Sequence, residues 1–377
     1  MNKRILVATD SYKHALSAPE ACKAIANGIR RSHPQADVVL FPLADGGEGT
    51  AAILASHLGA EPRRALVHDA LMRPLEVTWY YLPAEGVALM DMAAASGIQH
   101  LEPSERNPML TSTFGTGEVL KAALEAGAKK IYLGIGGSAT NDAGMGMASA
   151  LGWKFLDAND RVIPPKGANL EKVFRVLPPA HPFPAEVIVL CDVDNPLFGP
   201  KGAAFTFAMQ KGASADDVPV LDAGLRHFAK FLIELAGEGV STLPGAGAAG
   251  GLGAGAVAFL GARLVPGAEV IMELTHFDQA ITGRDLVITG EGQLDEQTLR
   301  GKLVARVCQK CLEAGVPVIA LCGKVVLDEH RWREMGLCLA RSITPPGMPL
   351  ERALKSTAVL LEQAAFEIFS EGQWPCS

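Results

Sequence analysis

The chain is 377 residues long, too many for one ordinary hydrophobic core, so two domains are expected. Its 34 basic and 41 acidic side chains leave a net charge of −7, and Lys and Arg gather into nothing longer than pairs such as Arg30-Arg31, which argues against nucleic acid and anionic membrane as partners. Cys22, Cys191, Cys308, Cys311, Cys322, Cys338 and Cys376 show no even framework, and neither a leader-like apolar stretch nor a membrane-length apolar run is visible, so a reducing, cytoplasmic location is expected.

Residues 5–8 read as an apolar strand ending in Asp10, Ser11, Tyr12 and Lys13. Ser17, Pro19 and Glu20 then open an amphipathic helix to about Arg31 by a capping-box pattern. A second strand over 37–43 ends in a glycine turn with two carboxylates, Asp45, Gly46, Gly47 and Glu48, before a helix over 50–58. Such a βαβα opening builds parallel sheets, whose ligands sit at the carboxyl ends of the strands. At 76–92 the pattern changes to two strands about a Pro-Ala-Glu-Gly turn, an antiparallel hairpin and a candidate domain boundary. A glycine turn after Thr113 feeds a helix closed by Gly127.

The stretch 130–151 compresses a strand, a glycine turn and a helix. Ile131, Tyr132 and Leu133 form the strand, and Gly134, Gly136 and Gly137 break it. Ser138, Thr140, Asn141 and Asp142 follow, a set that can cap a helix and leave hydroxyl, amide and carboxylate groups facing the turn. Free N–H groups at a helix start attract anions, so this is either a cradle for phosphate or carboxylate or a well-capped corner. Residues 153–156 and 162–163 suggest a second hairpin. An apolar strand over 186–190 leads to Asp192, Asp194 and Asn195, with Pro196 stopping the backbone.

After a helix over 218–236, residues 244–255 are too glycine-rich for a helix interior and read as a loop entering a helix over 256–260. Strand 285–289 ends in Gly290, Glu291, Gly292, Gln293 and Asp295, and Thr298 is expected to cap the helix that carries Lys302. Strands over 317–321 and 338–343 and a closing helix over 350–369 complete the chain, the former ending at Gly323 and Lys324.

Six strands thus end in short polar turns, several of them acidic. Gathered at one end of parallel sheets, such turns suit carboxylates that hold divalent metal or act as bases, with glycine backbones and lysines meeting phosphate oxygens. No GxxxxGK[ST], protein-kinase set, HExxH or GxSxG occurs, and the histidines are scattered. Gly134, Gly136 and Ala139 do match GxGxxA, with Asp157 about twenty residues on, as a dinucleotide fold requires. A nicotinamide-dependent dehydrogenase of small hydroxy acids is therefore a rival, and a non-catalytic sugar-acid sensor is a third reading.

DSYKHALSAPEA (10–21), PLADGGEGT (42–50), FGTGE (114–118), GIGGSATNDAGMG (134–146), CDVDNPLFGPKGAA (191–204), PGAGAAGGLG (244–253) and TGEGQLDEQTLRGK (289–302) resemble, in order, the motifs of the bacterial glycerate kinase family. The first motif commonly reads DSFKGSLSA, against Tyr12, His14 and Ala15 here, and Gln293 stands where Arg is common. The resemblance implies phosphorylation of D-glycerate by ATP with Mg²⁺, most readily at the 2-hydroxyl. It also implies two α/β domains with the site in the cleft, one doubly wound and mostly parallel (flavodoxin/Rossmann-like), the other inserted with a mixed sheet. The expected division is 1–75 plus 284–377 around an inserted 76–283.

On this reading Asp192 is the leading base, with Lys13 and Asp10 serving an anion. Asp45, Gly46, Gly47, Glu48, Gly136, Gly137, Ser138, Thr140, Asn141, Asp142, Asn195, Gly290, Gly292 and Lys302 face substrate or nucleotide, and Asp194, Glu291 and Asp295 are metal candidates. The oligomeric state stays open, a homo-oligomer included.

Overall fold

The protein's structure, a computed structural model, describes residues 3–300 and 302–372, so Gly301 of the late motif and Cys376 lie outside it. Strand β1 (Arg4–Val7) pairs in parallel with β2 (Asp37–Leu40), Ile5 beside Val38. The helix Ala18–Ser32 between them starts as its sequence dictates: the Ser17 N–H donates to the Glu20 carboxylate at 3.1 Å and Pro19 lies in the first turn. Its last turn carries Arg30 and Arg31, on the side where a helix favours positive charge.

The chain then builds β3 (Glu61–His68), β4 (Pro74–Leu82), β5 (Val87–Asp91), β6 (Lys130–Gly134), β7 (Lys154–Leu156), β8 (Arg175–Leu177), β9 (Glu186–Leu190) and β10 (Arg263–Val265). Six of these form one mixed sheet in the order β10-β9-β6-β5-β4-β3, parallel from β10 to β5 and antiparallel through β4 and β3. Its core takes Met90, Ile131, Leu133, Val187 and Val189 from the strands and a cluster of Phe155, Phe228 and Phe259, whose ring centroids lie 5.7–6.3 Å apart.

The return adds β11 (Leu286–Thr289), β12 (Gln293–Leu294), β13 (Val318–Cys322), β14 (Lys324–Val325) and β15 (Leu337–Ser342). With β1 and β2 they give a five-stranded parallel sheet, β15-β13-β11-β1-β2, with β12 and β14 as a short parallel pair. Numbered within their own sheet these strands run 2-1-3-4-5, the flavodoxin-like order, and the strand order reverses between β1 and β11.

The chain divides into unit 1, Met1–Asp45 with Ala268–Ser377, and unit 2, Gly46–Gly267. The crossings therefore fall at 45 and 267, not at 75 and 284, because β3 pairs along its whole length with β4 and belongs to the mixed sheet. Other elements also depart from the sequence reading. The strand after Leu156 returns only one bridge, Leu156 to Val162, and β7 takes Arg175–Leu177 as its partner instead. The glycine-rich stretch stays irregular through Ala249, Gly250 and Gly251, whose left-handed conformations interrupt the element Ala248–Leu260, so the regular helix begins after Gly251, a little earlier than expected. The closing helix is broken into Leu350–Lys355 and Thr357–Ser370. Among the described residues no helix is long and apolar enough to cross a membrane, and Cys22, Cys191, Cys308, Cys311, Cys322 and Cys338 are all free thiols.

Candidate active site

In unit 1 the crevice follows from the strand order, since ligands of open parallel sheets bind beyond the carboxyl ends of the strands where that order reverses. The loops after β1 and β11 meet there: the Asp10 N–H donates to the Gly290 carbonyl at 3.0 Å. Asp10 is 8% exposed and Glu291 9%. Burial holds the Asp10 carboxyl well above the usual carboxylate range, and the nearby charges of Asp45 and Glu291 add to it, while Lys13 opposes. Burial likewise pushes Glu291 up to about 7, with Asp45 and Asp295 adding and Lys302 opposing.

The Thr298 hydroxyl donates to Glu291 Oε1 at 2.6 Å. Thr298 is thus a clamp on an acid rather than a helix cap; Lys302 occupies the cap position of the helix Leu303–Glu313, and its ammonium reaches Gln297 at 3.1 Å. Asp295 accepts from the Gln293 amide at 2.7 Å and the Gln297 N–H at 2.8 Å. The structure therefore brings together Asp10, Asp45, Glu291 and Asp295, with Lys13 and Lys302 near them.

Two departures in the first motif become legible. His14 sits at φ 64°, which explains why relatives of this motif favour glycine there. The Tyr12 hydroxyl points inward and donates to the Leu321 carbonyl at 2.5 Å, so it adds a structural bond rather than a ligand contact. Gly290 packs against the same pair and has no room for a side chain, whereas Gly292 does.

In unit 2 the turn after β6 meets the Gly46–Gly47 turn backbone to backbone. The Gly136 N–H donates to the Gly46 carbonyl at 3.3 Å, and a Cβ on Gly136 would stand 2.5 Å from Gly47 Cα. Gly137 takes φ 78° beside Ala93, and Glu48 is exposed. Sequence reasoning missed Asp91 at the end of β5. Its carboxylate accepts the N–H groups of Gly49 and Ala51 at 3.0 and 3.1 Å, capping the helix Thr50–Leu58, and burial pushes it up to about 7.

The helix that follows the β6 turn, Met145–Ala150, offers no anion cradle. Asp142 is fully buried and takes the Thr113 N–H, the Thr113 hydroxyl and the N–H groups of Gly144 and Gly146 at 2.8–3.2 Å, while Met147 donates to the Thr113 hydroxyl. The anion at this helix start is the chain's own carboxylate, and Asp142 is a structural knot rather than a ligand. Ser138, Thr140 and Asn141 are buried beside it, and Lys211, which carries no sequence signal, joins them: its ammonium donates to Ser138 Oγ at 2.7 Å and to the Thr140 carbonyl at 2.8 Å.

At the end of β9, Asp192 is half-buried and its Oδ1 accepts the Gly267 N–H at 2.7 Å. The Asn195 amide turns into its own loop, to the Lys201 carbonyl at 2.8 Å and Thr206 at 3.2 Å. Asp194 is exposed, and among the described residues no three His, Cys, Asp or Glu side chains converge as they would around a metal ion. The dehydrogenase reading loses its support, because β6 has β5 and β9 as parallel neighbours and Asp157 stands after β7, in a separate antiparallel pair. There its carboxylate serves the Asn159 and Arg161 N–H groups at 2.8 and 2.9 Å.

The sequence model described as the Glycerate kinase family matches residues 5–372. A Halalkalibacterium halodurans protein named glycerate kinase is 43% identical, the match covering 98% of each chain. The Escherichia coli K12 protein named glycerate 2-kinase is 41% identical over 86% of each. A Salmonella typhimurium LT2 crystal structure, described as a candidate glycerate kinase 2, superposes with a TM-score of 0.80 at 35% identity over 99% of each chain. With one family spanning nearly the whole sequence and its solved fold matching this one, the chain belongs to the glycerate kinase family.

Proposed function

We propose that this kinase transfers the γ-phosphoryl group of ATP to the 2-hydroxyl of D-glycerate, with Mg²⁺. The observation that carries the reading is the buried acid group at the β1/β11 switch point, Asp10 and Glu291 with Asp45, flanked by Lys13 and Lys302. Carboxylates that burial and mutual repulsion hold back from ionising gain from a divalent cation, and Mg²⁺ needs only one or two of them because phosphates and water supply the rest. Asp10 and Glu291 would hold it, and it would neutralise charge on the β- and γ-phosphate oxygens. Lys13 and Lys302 would meet the remaining phosphate charge. What supports the 2-position is the name of the Escherichia coli relative, glycerate 2-kinase, at 41% identity.

Unit 2 serves the acceptor in this proposal. Asp192 accepts the hydroxyl proton as that oxygen attacks the γ-phosphorus; the bond from phosphorus to the β,γ-bridging oxygen breaks, and ADP leaves. The Gly267 N–H on Oδ1 fixes the orientation of the Asp192 carboxylate. A cytoplasmic setting, with thiols kept reduced, goes with the six cysteines among the described residues, all free. Phosphorus NMR of the product checks the regiochemistry: 2-phosphoglycerate is expected, and 3-phosphoglycerate would reverse it. Asp192→Asn is expected to lower kcat by about a hundredfold or more, the usual worth of a general base; turnover within a few-fold of the parent would remove Asp192 from that role.

A further inference from the structure

Lys211 ends the turn Met209–Lys211 and is only 4% exposed. Two of its three donor hydrogens go to Ser138 Oγ and the Thr140 carbonyl. Next to that carbonyl lie polar atoms with no partner: Thr140 Oγ1, on a residue with no exposed surface, and both Nδ2 and Oδ1 of Asn141, which is 1% exposed. A buried amide lacking both its donor and its acceptor bonds is costly and calls for an explanation. The backbone behind it holds one non-glycine residue, Ala249, in the left-handed region. Ala249, Gly250 and Gly251 take φ of 53°, 68° and 89°, and a Cβ on Gly250 would stand 2.1 Å from the Thr140 carbonyl oxygen.

We infer that Lys211, Thr140 and Asn141 form the pocket for the hydroxy-acid end of the acceptor, a deepening that rests on the glycerate reading above. The chemistry of the orphaned atoms selects the ligand. Lys211 and the Asn141 amide donate, whereas Asn141 Oδ1 needs a donor. Phosphate oxygens of a nucleotide only accept at neutral pH and would leave Oδ1 unpaired. An α-hydroxy acid brings both halves, a carboxylate for the Lys211 and Asn141 N–H groups and a hydroxyl for Oδ1. Burial lowers the Lys211 ammonium to about 7, with Asp142 the charge that opposes the fall, so an arriving carboxylate would fix the lysine in its charged form. The pocket lies at the carboxyl end of β6, the side of a parallel sheet on which ligands sit.

The test compares the parent with Thr140→Val, Asn141→Leu and Lys211→Met in melting temperature and in KM for D-glycerate and for ATP separately. The first two remove only atoms that have no hydrogen-bond partner within the protein, so if those atoms served structure alone, the melting point would hold or rise and no KM would move. The expected result is a maintained or raised melting point for Thr140→Val and Asn141→Leu together with a KM for D-glycerate raised about tenfold, one buried hydrogen bond's worth, and a KM for ATP within about twofold. Lys211→Met is expected to raise the glycerate KM further. Should Lys211→Met fail to fold, the other two variants still decide. Parent turnover of D-glycerate with unmoved glycerate KM in Thr140→Val and Asn141→Leu overturns this pocket and leaves the function standing. A rise confined to the ATP KM gives the pocket to the nucleotide and overturns it too. No turnover of D-glycerate by the parent fails the function itself and this assignment with it.

Discussion

Asp142 shows how far one residue's type can be read from sequence. Its place after a glycine turn marks a carboxylate that serves helix-start N–H groups, and so it does; what the sequence withholds is that Thr113 and the backbone use up its acceptors. Asn at 142 would keep the size, lose one acceptor oxygen and turn an amide N–H₂ toward buried donors. Urea denaturation of Asp142→Asn should show a loss of about 2–4 kcal/mol, since each unpaired buried group costs about 1–3 kcal/mol; an unchanged midpoint would mean the knot is not needed. Lys211 was invisible for the opposite reason, because its partners Ser138 and Thr140 lie some seventy positions away. Burial pushes the Glu291 carboxyl up to about 7, and this raised affinity for the proton sets the sign of its pH dependence. A carboxyl moved from 4.5 to about 7 binds its proton more tightly when folded, so its contribution is present at pH 4–5 and lost as pH rises through about 7. Glu291→Gln should therefore raise stability at pH 8 by up to roughly 3 kcal/mol and change little at pH 4.5, measured as melting temperature against pH, while activity falls. A gain that grows toward acid pH would contradict the assignment.

At the scale of elements, what the sequence showed plainly were strands buried on both faces and helices with a start signal. β9 after its exposed Glu186, and β13 throughout, are apolar runs, and the helix Thr50–Leu58 spans the residues expected. β3 escaped notice because it is the sheet's edge: its first four residues, Glu61 to Arg64, are exposed, carry three charges and a proline, and show no alternation to read. The residues 244–255 misled in a different way: the left-handed Ala249, Gly250 and Gly251 do break the helix, as the loop reading expects, but regular turns resume at Leu252, where Gly253 and Gly255 serve close backbone approach rather than a loop. Two glycine turns, after Asp45 and after β6, gain meaning only when they are seen to touch. Gly136→Ala would push a Cβ to 2.5 Å from Gly47 Cα, with backbone rather than a pliable side chain in the way. It should cost about 1–3 kcal/mol in thermal or urea melts. A melt indistinguishable from the parent would mean that the two turns part freely.

The whole molecule interleaves its chain: the flavodoxin-like sheet takes two strands from the start and three from the end, and the mixed sheet comes from the middle. The insertion was legible from the return to βα units after residue 284, but its edges were not, because a change of pattern at 76 shows where a hairpin is obvious, not where the sheet begins. Each unit on its own sets polar groups at the carboxyl ends of its parallel strands, acids and lysines in one and a hydroxyl, amide and buried lysine in the other. The division of labour proposed here, nucleotide charge to the first and hydroxy acid to the second, makes one assay the most direct test. ADP release should be followed with ATP and Mg²⁺ in the presence of D-glycerate, L-glycerate or no acceptor. Release that depends on D-glycerate and on Mg²⁺, and stays at the background rate otherwise, is the predicted result; equal release without acceptor, or none with any hydroxy acid, would contradict it.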